Sequence, residues 1–148
     1  MSKEILVRQA VAADAPEAAR LAGLLWSPSE ERVAEFEELI VSEDAAVFLA
    51  EANGRTVGFA QCGLRRDYVE GMEGDGPVGY LEGIYVEPEY RRLGAAQRLV
   101  GQCENWARTK GCGEFASDTE LGNEEGLRFH LDSGFEEAGR IICFIKRL

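Results

Sequence analysis

Two carboxylates occupy positions where a folded chain needs a reason to place them. Glu82 interrupts the apolar run Tyr80-Leu81-Glu82-Gly83-Ile84-Tyr85-Val86, and Asp118 follows Glu114-Phe115-Ala116-Ser117. A glutamate inside an apolar strand costs free energy unless it is paired or meets a cavity. An aspartate at a strand's end stands where α/β proteins gather polar groups. The two could attract an ammonium group and help remove its proton. Alternatively, Glu82 is an edge-strand surface residue and Asp118 caps a local turn with Thr119. A third feature follows the first run. In Pro88-Glu89-Tyr90-Arg91-Arg92-Leu93-Gly94-Ala95-Ala96 a strand feeds a glycine-containing turn that opens a helix. Bare backbone N–H groups and the helix dipole attract anions at such a turn. Two arginines there suit a diphosphate, although a solvated basic helix start has the same composition.

The elements that must position these residues are legible in the hydrophobic pattern. A strand is expected over 5–9 and a helix from the capping box Asp14-Ala15-Pro16-Glu17, with Ala15, Ala18, Ala19, Ala22 and Leu25 at helical spacing. A second box, Ser27-Pro28-Ser29-Glu30, introduces a helix carrying Val33, Phe36, Leu39 and Ile40. Strands over 46–51 and 56–63 flank Asn53-Gly54, a strong hairpin signal. Residues 65–77, with three glycines before Pro77, form a loop that leads into a strand ending near Val86. A helical stripe follows from about 94 to 110, ended by Gly111. A short strand over 114–117, a helix capped by Asn123 and a last strand over 140–146 complete the order β-α-α-β-β-β-α-β-α-β. This order predicts an α/β fold with a mixed central sheet flanked by helices.

At 148 residues the chain is one domain's worth, and we expect a single domain over 1–148. Its net charge of −11 should repel nucleic acid and attract cations. The sequence lacks an apolar run of transmembrane length and the long apolar region of a signal peptide, so a cytoplasmic protein with no membrane partner is expected. Cys62, Cys103, Cys112 and Cys143 are widely spaced and accompanied by one histidine, so buried free thiols are expected and no metal.

The element order, with Arg91-Arg92-Leu93-Gly94-Ala95-Ala96 in the turn before the third helix, resembles the GNAT superfamily of N-acetyltransferases, whose acetyl-CoA motif is Gln/Arg-x-x-Gly-x-Gly/Ala. Four further segments, at 65–71, 80–86, 114–119 and 129–137, look like the aminoglycoside 6′-N-acetyltransferases within it. The resemblance implies transfer of an acetyl group from acetyl-CoA to the 6′-amine of an aminoglycoside, with direct attack in a ternary complex. Rival readings are a GNAT enzyme for another amine, or a non-catalytic acyl-CoA-binding module.

The family pattern implies roles residue by residue. Backbone N–H groups from Leu93 through Gly94, Ala95 and Ala96, with Arg91 and Arg92, would hold the pyrophosphate. Ile84, Tyr85 and Val86 would pair with the pantetheine arm, and an N–H near Val86 would receive the developing oxyanion. Glu82 and Asp118 would meet the reacting amine; Tyr68 would wall the sugar ring or anchor its glycine-rich loop, and Trp26 would be a second wall or a core residue. A carboxylate near pKa ~4 is a weak base toward an ammonium near ~10, so either its proton affinity is raised or water relays the proton. His130 takes the place of the tyrosine usually assigned to protonating the departing thiolate; it could act so, or pack the helix. Asn123 matches a residue that touches coenzyme A, and a helix cap explains it equally. A homodimer is implied too. Gly126 and Gly139 depart from the pattern, at positions where relatives often have serine and some have an acidic substrate contact.

Overall fold

The computed structural model describes residues 4–148. Its five strands are β1 (Ile5–Gln9), β2 (Ala45–Ala52), β3 (Arg55–Arg65), β4 (Val78–Val86) and β5 (Phe115–Ser117). They lie in the order β1-β2-β3-β4-β5, antiparallel except for the parallel β4–β5 pair. The helices are α1 (Ala15–Leu25), α2 (Arg32–Val41), α3 (Ala95–Thr109) and α4 (Glu124–Asp132). The fold is thus the mixed, helix-flanked sheet that the pattern predicts.

Nearly all of β2 is buried because both faces of the sheet are covered, and its near-continuous apolar sequence is what such a strand requires. Ala46, Phe48 and Ala50 pack with Leu99, Val100 and Cys103 of α3. Val47 and Leu49 point the other way, against Ala18, Leu21 and Phe36 of α1 and α2. Asn53 and Gly54 both take positive φ, 53° and 76°, as a two-residue hairpin turn demands.

Three local expectations fail. Asp14 precedes α1 but does not cap it; its carboxylate accepts instead from the Val11 N–H and the Arg8 guanidinium. That charge-assisted pairing outcompetes a cap bond. Helix α2 starts at Arg32, not at the Ser27 box, and Ser29 bonds the Glu31 N–H in a local turn. The last strand over 140–146 does not form. Residues beyond Phe135 lie in no helix or strand, and Ile141, Ile142, Phe144 and Ile145 are exposed, Phe144 by 90%. A strand exists only through a partner's ladder bonds, and this segment has none within the described chain. Cys143 belongs to it and is exposed, whereas the other three thiols are buried and free as expected.

Candidate active site

Two changes of course in the sheet build the site. The β3–β4 register runs Gln61 with Gly83 and then Cys62 with Leu81, so Glu82 is the extra residue of a β-bulge. A bulge re-aims its side chain and bends its strand. That resolves the apparent cost of Glu82, which is half-buried and bidentately bonded to Arg65, at 3.1 and 2.7 Å. On the other side, β4 and β5 pair only from Gly79–Phe115 to Leu81–Ser117. Past Leu81 no strand among the described residues covers that edge of β4, so an extended ligand can add backbone hydrogen bonds there.

Asp118 is the next residue after β5, at this parting of strands. Its carboxylate accepts the Tyr80 hydroxyl. Burial, and then the neighbouring Asp118, push the Tyr80 phenol up to about 12, so it stays a donor throughout the physiological range. The Arg65 guanidinium lies over the Tyr80 ring, 3.5 Å from its centre. Glu82, Arg65, Tyr80 and Asp118 therefore form one connected group. Sequence reasoning named only its two ends.

Trp26, at the end of α1, rests on the bare backbone of β4: a methyl group at Gly83 would overlap its ring. Phe59 supports the indole edge-on at 6.1 Å, yet 46% of Trp26 remains exposed. The indole is thus next to Glu82 along β4. Tyr68 is 74% exposed and donates to Glu70 at 3.1 Å, an acceptor whose charge raises the phenol's pKa. It lines a cleft of about 1340 Å³ together with Arg65, Tyr80, Asp118 and His130, and the segment Glu136–Ile141 forms the outer wall. Eight carboxylates and three arginines border the cleft, a balance suited to a polycation. Glu82 and Trp26 do not line it and reach it through Arg65 and β4.

His130 has no free nitrogen. Nδ1 faces the Gly126 carbonyl at 2.6 Å, so it carries the hydrogen, and Nε2 accepts the Ser117 hydroxyl at 2.8 Å. Its ring packs against Phe129 and Phe135. Proton exchange at Nε2 would have to run through the Ser117 hydroxyl, a residue that sequence reasoning did not single out. At Gly126 a Cβ would stand 2.5 Å from Thr119 Oγ1 and 2.7 Å from the Asn123 amide, so serine does not fit without a shift. At Gly139 a Cβ would meet the Glu70 carboxylate at 3.0 Å: the site lacks an acid on one segment and has one on the facing loop.

The turn between β4 and α3 has the strand–turn–helix form that the sequence predicts. Gly94 sits before α3 with φ of 82°, and Arg92 also takes a positive φ, 64°. Left-handed arginine is strained, a conformation typical of ligand clamps. A side chain at Gly94 would meet nothing within 4 Å, so the space before the first turn of α3 is open. Arg91 turns back, its Nε donating to the Val86 carbonyl at 2.7 Å, and so braces the turn against β4. Asn123 caps α4, accepting from the Gly126 N–H at 3.0 Å. Asn123→Ala is expected to cost about 1 kcal/mol, a drop in Tm of about 2–4 °C by thermal melting. An unchanged Tm would show the cap to be dispensable.

Residues 12–135 match the model of the acetyltransferase (GNAT) family. The chain belongs to that family. This GNAT chain is 40% identical over 139 residues to the aminoglycoside N(6′)-acetyltransferase type 1 of Stenotrophomonas maltophilia, covering 93% of the chain and 90% of the relative. It is 42% identical over 128 residues to the enzyme of the same name from Serratia marcescens, covering 84% and 86%. In structure it is similar to aminoglycoside N-acetyltransferase AAC(6′)-Iy in complex with CoA (TM-score 0.93, 35% identity, 100% of this chain and 98% of that one). The same protein in complex with the bisubstrate analogue CoA-S-monomethyl-acetylneamine gives a TM-score of 0.92 at 36% identity, over 98% and 99% of the chains. Among the described residues no helix is long and apolar enough to cross a membrane, and no group of three or more His, Cys, Asp or Glu is placed to hold a metal.

Proposed function

We propose that this chain transfers the acetyl group of acetyl-CoA to the 6′-amine of an aminoglycoside. The observation that carries the reading is the connected group Glu82–Arg65–Tyr80–Asp118, set where β4 and β5 part and beside an open, acid-bordered cleft. The similar AAC(6′)-Iy structures are complexes with CoA and with the bisubstrate analogue CoA-S-monomethyl-acetylneamine.

In this reading the α3 turn, from Arg91 to Ala96, holds the pyrophosphate: the space around the Gly94 Cα is open and Arg92 stands exposed beside it. The uncovered edge of β4 over Ile84, Tyr85 and Val86 receives the pantetheine arm. Acetyl-CoA supplies an already activated thioester, so no protein nucleophile is needed and the tasks are positioning and deprotonation. Glu82 and Asp118 attract the ammonium and take up its proton, directly or through water. Trp26 and Tyr68 give flat walls to the sugar rings.

The chain acts as one domain over 1–148, in the cytoplasm, where thiols stay reduced; its four cysteines are free. A homodimer fits the exposed apolar side chains of Ile141, Ile142, Phe144 and Ile145, which solvent alone would leave bare.

Free-thiol release during acetyl-CoA titration, with and without an aminoglycoside, tests the reading. Release only with the aminoglycoside supports it, and binding without release for any amine would assign the chain to a carrier role instead. Losing both arginines of the turn (Arg91→Ala with Arg92→Ala) is expected to raise the acetyl-CoA KM about ten-fold or more. Each charge-assisted bond to phosphate is worth about 1.5–3 kcal/mol, and about 1.4 kcal/mol makes a decade. Unchanged affinity would remove the turn from the site.

A further inference from the structure

We infer that Arg65 is the specificity gate of this site: its guanidinium occupies the ammonium position on Glu82 and yields it only to a polycationic amine. The inference rests on the acetyltransferase reading above and adds a residue that neither the motif nor the comparisons single out.

Arg65 is the last residue of β3, and its fork meets both oxygens of Glu82 at 3.1 and 2.7 Å. Its flat face lies on Tyr80, whose hydroxyl is committed to Asp118. Both carboxylates intended for an incoming ammonium are therefore already engaged, one by a full positive charge. While that charge stays, Glu82 and Arg65 together present no net charge, and a second cation gains little from approaching them. The position becomes attractive only when the guanidinium leaves, which forfeits a bidentate pair and a ring contact. Arg65 is partly exposed and sits at a strand end beside the loop carrying Tyr68, so it has room to move. The exchange is cation for cation.

A substrate with several ammonium groups can offset the loss by engaging other carboxylates of the cleft, such as Glu70, Glu136 or Glu137. A monoamine has no second charge to do this. Arg65 thus makes productive binding conditional on multiple charges, and it discriminates by raising the cost for weak candidates.

The test compares neomycin with 6-amino-6-deoxyglucose, a sugar carrying one ammonium on the equivalent carbon, in the full-length chain and its Arg65→Gln and Arg65→Lys variants. Arg65→Gln should lower the KM of the amino sugar, so that the kcat/KM ratio favouring neomycin shrinks about ten-fold or more. Arg65→Lys keeps the charge and should stay near the parental ratio. Loss of activity toward both amines in equal proportion, or a parental ratio in Arg65→Gln, would overturn the gate and leave Arg65 a fixed clamp. Calorimetric binding of each amine to the parent and to Arg65→Gln, in the presence of coenzyme A, reads the same ratio without turnover. If the parent releases no thiol with neomycin, the acetyltransferase reading fails, and calorimetry still decides the role of Arg65.

Discussion

Asp118→Asn is expected to reduce kcat toward aminoglycosides by about 10²-fold while leaving the KM for acetyl-CoA unchanged. The substitution is a clean one in this structure. Asparagine keeps an oxygen that can accept the Tyr80 hydroxyl, so the end of β5 stays where it is. What disappears is the negative charge and the ability to hold a proton. Positioned general bases contribute about 10²–10⁴-fold, and an effect confined to kcat marks a group that acts on the reacting amine. Glu82→Gln differs, because it strips Arg65 of a bidentate partner and weakens attraction for the ammonium. Its effect should be shared between kcat and the aminoglycoside KM. Steady-state kinetics with each substrate varied in turn separates the two cases. A variant whose kcat and KM both match the parent would dismiss that carboxylate from the chemistry.

The largest expected loss of stability lies under the site. Phe59 is fully buried in β3, and its ring meets Phe36 at 5.9 Å and Trp26 at 6.1 Å, both edge-on. Phe59→Ala removes the shared contact of α1, α2 and the sheet, and leaves a cavity that two helices cannot both collapse into. Such truncations cost about 3–5 kcal/mol, a large part of a domain's total of about 5–15 kcal/mol. Urea unfolding should show a midpoint far below the parent's, with a Tm lower by about 10 °C or more. Trp26 would lose its edge support and its fixed place on Gly83, so the aminoglycoside KM should rise in any Phe59→Ala protein that remains folded. A stability change under about 1 kcal/mol would mean that the helices repack around the gap.

Much of this fold is legible in the sequence because local signals and the final packing agree. Asn53-Gly54 dictates its hairpin, Gly111 ends α3 with φ of 87°, and Asn123 caps α4 through its own side chain. The failures share a physical cause, which is competition from partners distant in sequence. Asp14 is taken by Arg8, and the 140–146 segment pairs with no strand among the described residues. The site was legible at its charged ends, since a glutamate in an apolar run and an aspartate after a strand are conspicuous. Its connecting residues were not. Arg65 and Tyr80 look ordinary in sequence, and only the β3–β4 bulge brings the guanidinium onto Glu82. Ser117 likewise becomes informative only once the His130 ring is seen to rest on it.

The central claim, that a 6′-amine is acetylated between Glu82 and Asp118, is tested most directly by neomycin against paromomycin. The two differ at the 6′ substituent, an amine in the first and a hydroxyl in the second. An amine there can lose its proton to the carboxylates and attack the thioester. A hydroxyl is a far poorer nucleophile at neutral pH, and it forgoes a charge-assisted contact worth about 1.5–3 kcal/mol. Thiol release should therefore be brisk with neomycin and close to background with paromomycin, which can still compete for the cleft as an inhibitor. Comparable turnover of both antibiotics would contradict the account, because another amine would then be the acceptor.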